Sequence, residues 1–548
     1  MVPAVGVYVG GSWVLIEILD RLVERYLLSP YITDIAFWGL FSLIPAVILV
    51  AWTHGKPGKD TVTTAEKVGV PINVIATLGL LITMFSGKDL GATANLVTVS
   101  DEHGQTVQQY VARENYRRRV ATFFWANDSG DPQHDMLRYA VTELLTQDLQ
   151  QSPFIVATSP YNSGTNGYFA RMAQAGFDDG LGIPASLMRQ IAREANRDYF
   201  IDGSIDHADG DYLLTARVWD ATTGREAGTV EERGHDLYAV VDRLSRGVRE
   251  VLDVPFEGRA AEDLELADTY GESRAALQAY IEGLNHRLLE NDLAAAEEDF
   301  NRALEEDPQF VLAWLMKAVG AAQSGNIPVA QQAFAEAQAL DYRLPSRDRA
   351  IIKANLYWLA GETDTLESFL RMQVRLNDDA RSWRLLGNVL LELGKYDEAR
   401  TAYETVRERD ASELDILKIL ALLERGAGNL DRSIEHLRDY VEERPEDVDA
   451  LLQLGDMLRD AGDREGARSL YADAQFVGNR PVLPLLRLAM LDMGAGDGPS
   501  AWSQLDEARE LAETPDQQSV VLSVQAMFEM RVGRIHDALQ TTRAKMEQ

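Results

Sequence analysis

A 34-residue spacing runs through the carboxy-terminal half of this 548-residue chain and limits what it can fold into. Gly387, Ala421, Gly455 and Ala489 lie 34 residues apart. Ala399, Ser433, Ala467 and Ala501 follow them at a distance of twelve, and Tyr403, Leu437, Tyr471 and Leu505 four residues later. Two small residues and one large one, repeated in register, describe a pair of crossing helices. The small residues let the two helices approach, and the large one packs on the neighbouring pair. Such a unit cannot bury its apolar face alone, so the pairs must stack into a solenoid in which each contacts its neighbours.

Trp383, Leu386, Gly387 and Leu390 fit the first helix of such a pair. Trp314, Ala318, Ala330, Phe334 and Ala337 give an earlier pair. Ala296, Phe300, Ala303 and Pro308 mark the second helix of the first one. Residues 346–380 fit poorly and read as a degenerate helical pair, whereas Ala526 and Ala538 suggest an incomplete last one. These positions resemble the tetratricopeptide repeat (TPR) over residues ~270–548, with about eight repeats. The resemblance implies partner binding along the groove of the stack; the alternative is a purely architectural spacer.

The other end of the chain has a different solvent in view. Three apolar runs fill the first 85 residues: Val5–Leu19, Ile35–Trp52 and Val68–Phe85. The second and third carry no charge and reach the length of a membrane-crossing helix. Glu17, Asp20, Arg21, Glu24 and Arg25 crowd the end of the first, which either spans or lies in the interface. Trp13, Trp38 and Trp52 sit where interfacial aromatics are common. Neither a basic leader nor a small-residue cleavage site accompanies the first run, which excludes a cleavable signal peptide. Lys56, Lys59 and Lys67 in the second loop outnumber Arg21 and Arg25 in the first. With three spans, that places everything after Phe85 outside the cytoplasm, in the periplasm of a bacterium with two membranes; with two spans, both the amino terminus and the large soluble part would lie inside.

Net charge is -33, with 53 Lys and Arg against 86 Asp and Glu. That balance opposes a phosphate-binding surface, so no nucleic acid partner is expected. An acidic groove would favour a basic or neutral partner. There are no cysteines, which removes disulfides, thiolate metal sites and cysteine nucleophiles.

Between the two ends, residues 89–116 read as a polar linker in which Asn95–Val99 and Thr106–Val111 could be short strands. Arg117, Arg118 and Arg119 form a basic patch, read as a solvated strand edge or a contact to lipid headgroups. Val120–Trp125 and Phe154–Thr158 read as strands, and Met136–Leu149 and Ser186–Ala195 as helices. Tyr199–Asp206 and Tyr212–Asp220 form a hairpin through Asp209–Gly210. A strand over Glu226–Glu232 and a helix over Leu237–Leu252 close the module. Ser159–Gly182 is a Gly-, Asn- and Ser-rich excursion.

Phe124, Asn127, Ser129–Pro132, Ala192, Ala195, Asp198, Tyr199, Gly203, Ser204 and Asp220–Gly224 resemble the TolB-like domain of bacterial TPR proteins. The spans resemble the membrane segment that precedes that domain, notably at Trp13, Pro45 and Ala51–Trp52. The resemblance implies a small periplasmic α/β module that forms complexes and brings no catalytic residues. The expected architecture is therefore multi-domain. Transmembrane helices fill 1–88, the linker 89–116, the TolB-like α/β domain 117–255 and an all-α TPR solenoid 256–548.

No motif for phosphate binding, dinucleotide binding, zinc-dependent hydrolysis or a serine nucleophile occurs. The eight histidines are scattered, and Asp206, Asp209 and Asp211 lack the spacing of an EF-hand. No catalytic, cofactor-binding or metal-binding residue is assigned, and no cofactor is expected. Tyr161, Tyr168 and Phe169, in the flexible excursion, are the candidate partner-binding residues, because exposed aromatics favour interfaces. The expected function is a membrane-anchored scaffold or accessory subunit of a bacterial envelope complex, with protein partners and the bilayer as its contacts. The alternative is a sensor working with a separate output protein.

Overall fold

A computed structural model describes residues 2–54, 62–161, 167–255, 264–477 and 481–547. Lys56 and Lys59 of the second loop lie outside the described residues, as does 162–166 of the Ser159–Gly182 excursion. The chain divides into two compact units. The first holds residues 1–390 with 409–412, and the second holds 391–408 with 413–548.

The first unit opens with four helices, α1 (Val2–Tyr26), α2 (Tyr31–Ser42), α3 (Ile44–Thr53) and α4 (Thr64–Phe85). Pro45 follows the break between α2 and α3, where a proline at the start of a helix costs no hydrogen bond. Together α2 and α3 make one apolar stretch, so three helical segments are long and apolar enough to cross a membrane. Nearly all of their large apolar side chains face outward, as at Val7, Trp13, Ile72 and Ile75. Water would penalise that surface and lipid would not. The first segment continues as one helix through Glu17, Asp20, Arg21 and Glu24, and Arg21 pairs with Glu17. Thr63 and Glu66 form a capping box that starts α4.

Residues 89–116, expected as a linker, contain a two-stranded antiparallel sheet of β1 (Ala94–Ser100) and β2 (Thr106–Ala112). Its turn is not free. Glu102 accepts from the Tyr357 hydroxyl at 3.0 Å and pairs with Lys353, both on the helix Ser346–Ala360.

The α/β module is a mixed sheet of β3 (Arg118–Thr122), β4 (Ala126–Asn127), β5 (Ile155–Thr158), β6 (Tyr199–Ala208), β7 (Asp211–Asp220) and β8 (Glu226–Gly234). The order is β5-β3-β6-β7-β8, with β4 also beside β6. β3 runs parallel to β5 and β6, whereas β6, β7 and β8 form an antiparallel meander. The β6–β7 turn places Asp209 and Gly210 at φ +57° and +82°, which explains the Asp-Gly pair. Gly203 has no room for a side chain. A Cβ there would lie 2.5 Å from the Thr215 carbonyl and 2.7 Å from the Trp125 ring. Helices α5 (Leu137–Leu149), α6 (Tyr168–Gln174), α7 (Ala185–Glu194) and α8 (Leu237–Val251) complete the module. One apolar core runs from Val120, Phe123 and Trp125 through Leu144, Val241 and Leu244 to Tyr280, Phe300 and Phe334. The sheet module and the first helical hairpins therefore share an interior.

Helical hairpins make up most of the described residues that follow. In the first unit they include Arg274–Leu288 with Leu293–Glu306 and Val311–Gln323 with Ile327–Ala339. The poorly patterned stretch 346–380 is indeed a helical pair, Ser346–Ala360 and Thr363–Leu376. In the second unit Asp415–Gly426 pairs with Leu430–Glu443, Val448–Asp460 with Arg464–Val477, Val482–Ala495 with Gly498–Leu511, and Pro515–Arg531 with Ile535–Glu547. The periodic small residues do what their spacing predicts. A Cβ on Gly455 would meet the Tyr471 ring at 2.4 Å.

Candidate functional site

Three observations bear on where this chain could bind something: the aromatic trio of the excursion, the polar edge of the sheet, and the faces of the hairpins.

Tyr161, Tyr168 and Phe169 are all buried. Their expected exposure is corrected by the fold. Phe123 lies 5.7 Å from the Tyr168 ring and Phe124 lies 5.3 Å from Tyr161, so the aromatics of β3 and its continuation draw them inward. The Tyr161 hydroxyl donates to Asn285 Oδ1 at 2.5 Å, and burial pushes its pKa well above the ordinary tyrosine value. The Tyr161 hydroxyl thus ties the module to its own first hairpin, Arg274–Leu288 with Leu293–Glu306.

The Arg117–Arg119 patch is not a solvated edge either. Arg117 is buried and pairs with Asp378 at 3.8 Å. Arg118 donates to the carbonyls of Leu252 and Asp253, and Arg119 pairs with Glu114. An open polar depression lies here, lined also by Asp198, Tyr199 and Asp220. Asp209 and Asp211 at the hairpin turn are matched by Arg233, and His235 lies 2.5 Å from Asp211. Among the described residues no group of His, Asp and Glu is arranged to hold a metal ion.

The first helices of the hairpins in the second unit present a ladder of compensated charge. Lys418 lies 4.5 Å from the centre of the Tyr440 ring and 3.5 Å from Asp447, which also accepts from the Tyr440 hydroxyl at 2.8 Å. Burial works against the Lys418 ammonium. The Tyr440 hydrogen bond and the carboxylates of Asp415 and Asp447 outweigh it, so its pKa stays above the ordinary lysine value. One helix on, Asp456 accepts from Arg459 at 2.9 Å, from the Tyr471 hydroxyl at 2.8 Å and from Arg487 at 3.0 Å. Asp460 joins Arg459 at 2.9 Å to Arg425 at 3.6 Å. Four cations thus meet four anions along successive first helices.

The excess acid lies elsewhere, on exposed positions of the second helices such as Asp397, Glu398, Asp431, Glu435, Asp439 and Glu442. On the first-helix face the named charges are paired among themselves. Leu422 stands exposed on it, one turn from Lys418, and Met490 is half-buried. Leu422, Asp456 and Met490 each directly follow the small residue of their repeat, Ala421, Gly455 and Ala489. That fixed offset was a usable signal in the sequence, but charge pairing between neighbouring helices was not.

Comparison with known proteins agrees with the hairpins. The tetratricopeptide repeat matches residues 380–411 and 419–482, so the chain carries TPR repeats. No curated protein matches the sequence at a significant level. Among solved structures, PilW, described as a widely conserved type IV pilus biogenesis factor, is 16% identical, covering 46% of this chain and 100% of its own, with a TM-score of 0.29. Pseudomonas aeruginosa pilF is 17% identical, covering 45% of this chain and 97% of its own, at 0.29. MamA of Desulfovibrio magneticus RS-1 is 16% identical, covering 30% and 92%, at 0.27.

Proposed function

We propose that this chain is a membrane-anchored, non-catalytic scaffold or accessory subunit of a bacterial cell-envelope complex. Its three apolar segments hold it in the inner membrane, and its α/β module and TPR hairpins stand in the periplasm. A protein partner lies along the first-helix face of residues 415–495. The single observation that supports this best is the coexistence of that ladder with an exposed Leu422 on a helix whose other apolar side chains are buried or half-buried. An apolar anchor surrounded by charges that already have partners suits a segment of mixed polarity. Such a segment gains affinity from the desolvated centre, while the surrounding charges set its register.

Extraction of the full-length protein in mild detergent, with mass spectrometry of what stays bound, tests the reading. A stoichiometric envelope protein retained by the wild type and lost from Leu422→Glu is expected. Equal recovery with both would reject this face as the site. Orientation is tested separately. Because the chain has no cysteine, one introduced at Asp431 reports its compartment to a membrane-impermeant maleimide. Labelling in intact inner-membrane spheroplasts is expected, and labelling only after lysis would place the domains inside.

A further inference from the structure

Residues 343–384 of the first unit reverse the charge balance of this acidic chain, with eight Lys and Arg against six Asp and Glu. Two of those cations, Arg347 and Arg381, make no hydrogen bond or ion pair with any described residue. They lie 34 residues apart, at the same position of successive first helices, Ser346–Ala360 and Ala380–Glu392. The next two hairpins place Asp415 and Asp449 there, so the repeat itself does not require arginine at this position.

Both side chains line one depression between Ser346–Ala360, Thr363–Leu376 and Ala380–Glu392. Ile351, Ala354, Phe369 and Leu370 form its buried apolar floor. Arg347 is half-buried and Arg381 exposed, so the arginines belong to the rim. Asn377 donates to Gln373 Oε1 at 2.8 Å, which leaves the Gln373 amide as a further donor. The enclosed part of the depression measures about 20 Å³, room for one water- or methyl-sized group.

Charge and size together select the occupant. The two arginines repel one another, and Asp348 and Asp379 oppose that repulsion. Asp379 is engaged at the start of Ala380–Glu392, accepting from the Ser382 amide at 2.8 Å, and Asp348 is buried. Neither forms an ion pair with either guanidinium, so both arginines keep donors for a ligand. The two carboxylates nevertheless weaken the local field, which favours an anion of one charge over a dianion such as phosphate. A planar pair of oxygens suits the guanidinium fork. The small enclosed space leaves no room for a long apolar tail.

We propose that Arg347 and Arg381 bind a short-chain carboxylate, acetate or propionate in size, with its apolar end on the floor of Ile351 and Phe369. The site shares no residue with the face of 415–495, so either reading can fail without the other. Full-length protein in nanodiscs of zwitterionic lipid, titrated calorimetrically with sodium propionate against empty nanodiscs, tests it. Saturable binding of propionate is expected, with hexanoate and inorganic phosphate weaker. Arg347→Gln and Arg381→Gln should each raise the propionate dissociation constant at least ~10-fold. Arg375→Gln, at an exposed arginine that does not line the depression, should leave it unchanged. Circular dichroism checks that each variant is folded. The proposal is overturned if propionate gives no saturable heat, if both arginine variants bind it as the wild type does, or if phosphate or hexanoate binds as tightly.

Discussion

Arg400 lies 3.1 Å from the carboxylate of Glu424, and Glu424 is fully buried. Asn429 and Arg432 complete the shell of that carboxylate at 2.6 and 3.1 Å. Sixty-eight residues on, two repeats later, Arg468 makes the equivalent pair with the buried Asp492, which also accepts from Gln504 at 3.0 Å. The intervening repeat fills the same two positions with Ile434 and Leu458. Polar and apolar joints between hairpins alternate along the stack.

Breaking such a joint on one side should be costly. Glu424→Ala removes the buried anion that Arg400 and Arg432 share, leaving Arg400 only the exposed Asp397, and is expected to destabilise the second unit by about 3 kcal/mol. Glu424→Leu combined with Arg400→Leu should recover most of that, because it reproduces the Ile434–Leu458 joint. Thermal or urea unfolding of the full chain reads both.

The close approach at Gly455 gives a second expectation. The Tyr471 ring occupies the space a side chain would need, and the Tyr471 hydroxyl is tied to Asp456. Gly455→Val should therefore cost about 2–3 kcal/mol through overpacking. The same change at Gly426, where the space around the α-carbon is open, should cost much less.

Stability should depend on pH through Glu143. Burial raises its carboxyl to about 7, with Asp348 adding to the effect and the Gln147 hydrogen bond opposing it. The unfolded value is about 4.3, so the folded chain takes up this proton first. Its contribution is fully present below about pH 4.3 and lost as pH rises through 7. Asp242, raised to about 7 by burial and Asp148, acts in the same direction. Glu143→Gln should flatten the change between pH 5 and 8, removing up to about 3 kcal/mol of it, as measured by denaturant midpoints across that range.

Partner recognition is separable from folding at Leu422. Its side chain is exposed, so Leu422→Glu should leave the melting temperature within about 0.5 kcal/mol equivalents of wild type while reducing recovery of the partner. A large loss of stability would mean that Leu422 serves packing.

The hairpins were legible in the sequence because each residue's role depends on close neighbours along the chain. Gly455 and Tyr471 are sixteen residues apart, and the need for a small residue under a large ring recurs every 34. The apolar segments were legible for a similar reason, since composition alone tells lipid from water. The Asp209–Gly210 hairpin was fixed locally by its turn. Tyr161, Tyr168 and Phe169 looked like surface anchors because their neighbours are Gly, Ser and Asn, the composition of a loop. What buries them is Phe123 and Phe124, brought in by a parallel strand pairing that no local signal specifies. The Arg117–Arg119 patch misled in the same way, since Asp378 and Leu252 lie far along the chain. Sequence determined which segments are helices, which are long and apolar enough to cross a membrane, and where small residues must sit. Tertiary structure decided which aromatics are interior and which charges are cancelled. Burial and ion pairing depend on partners distant in the chain, and periodicity carries no record of them.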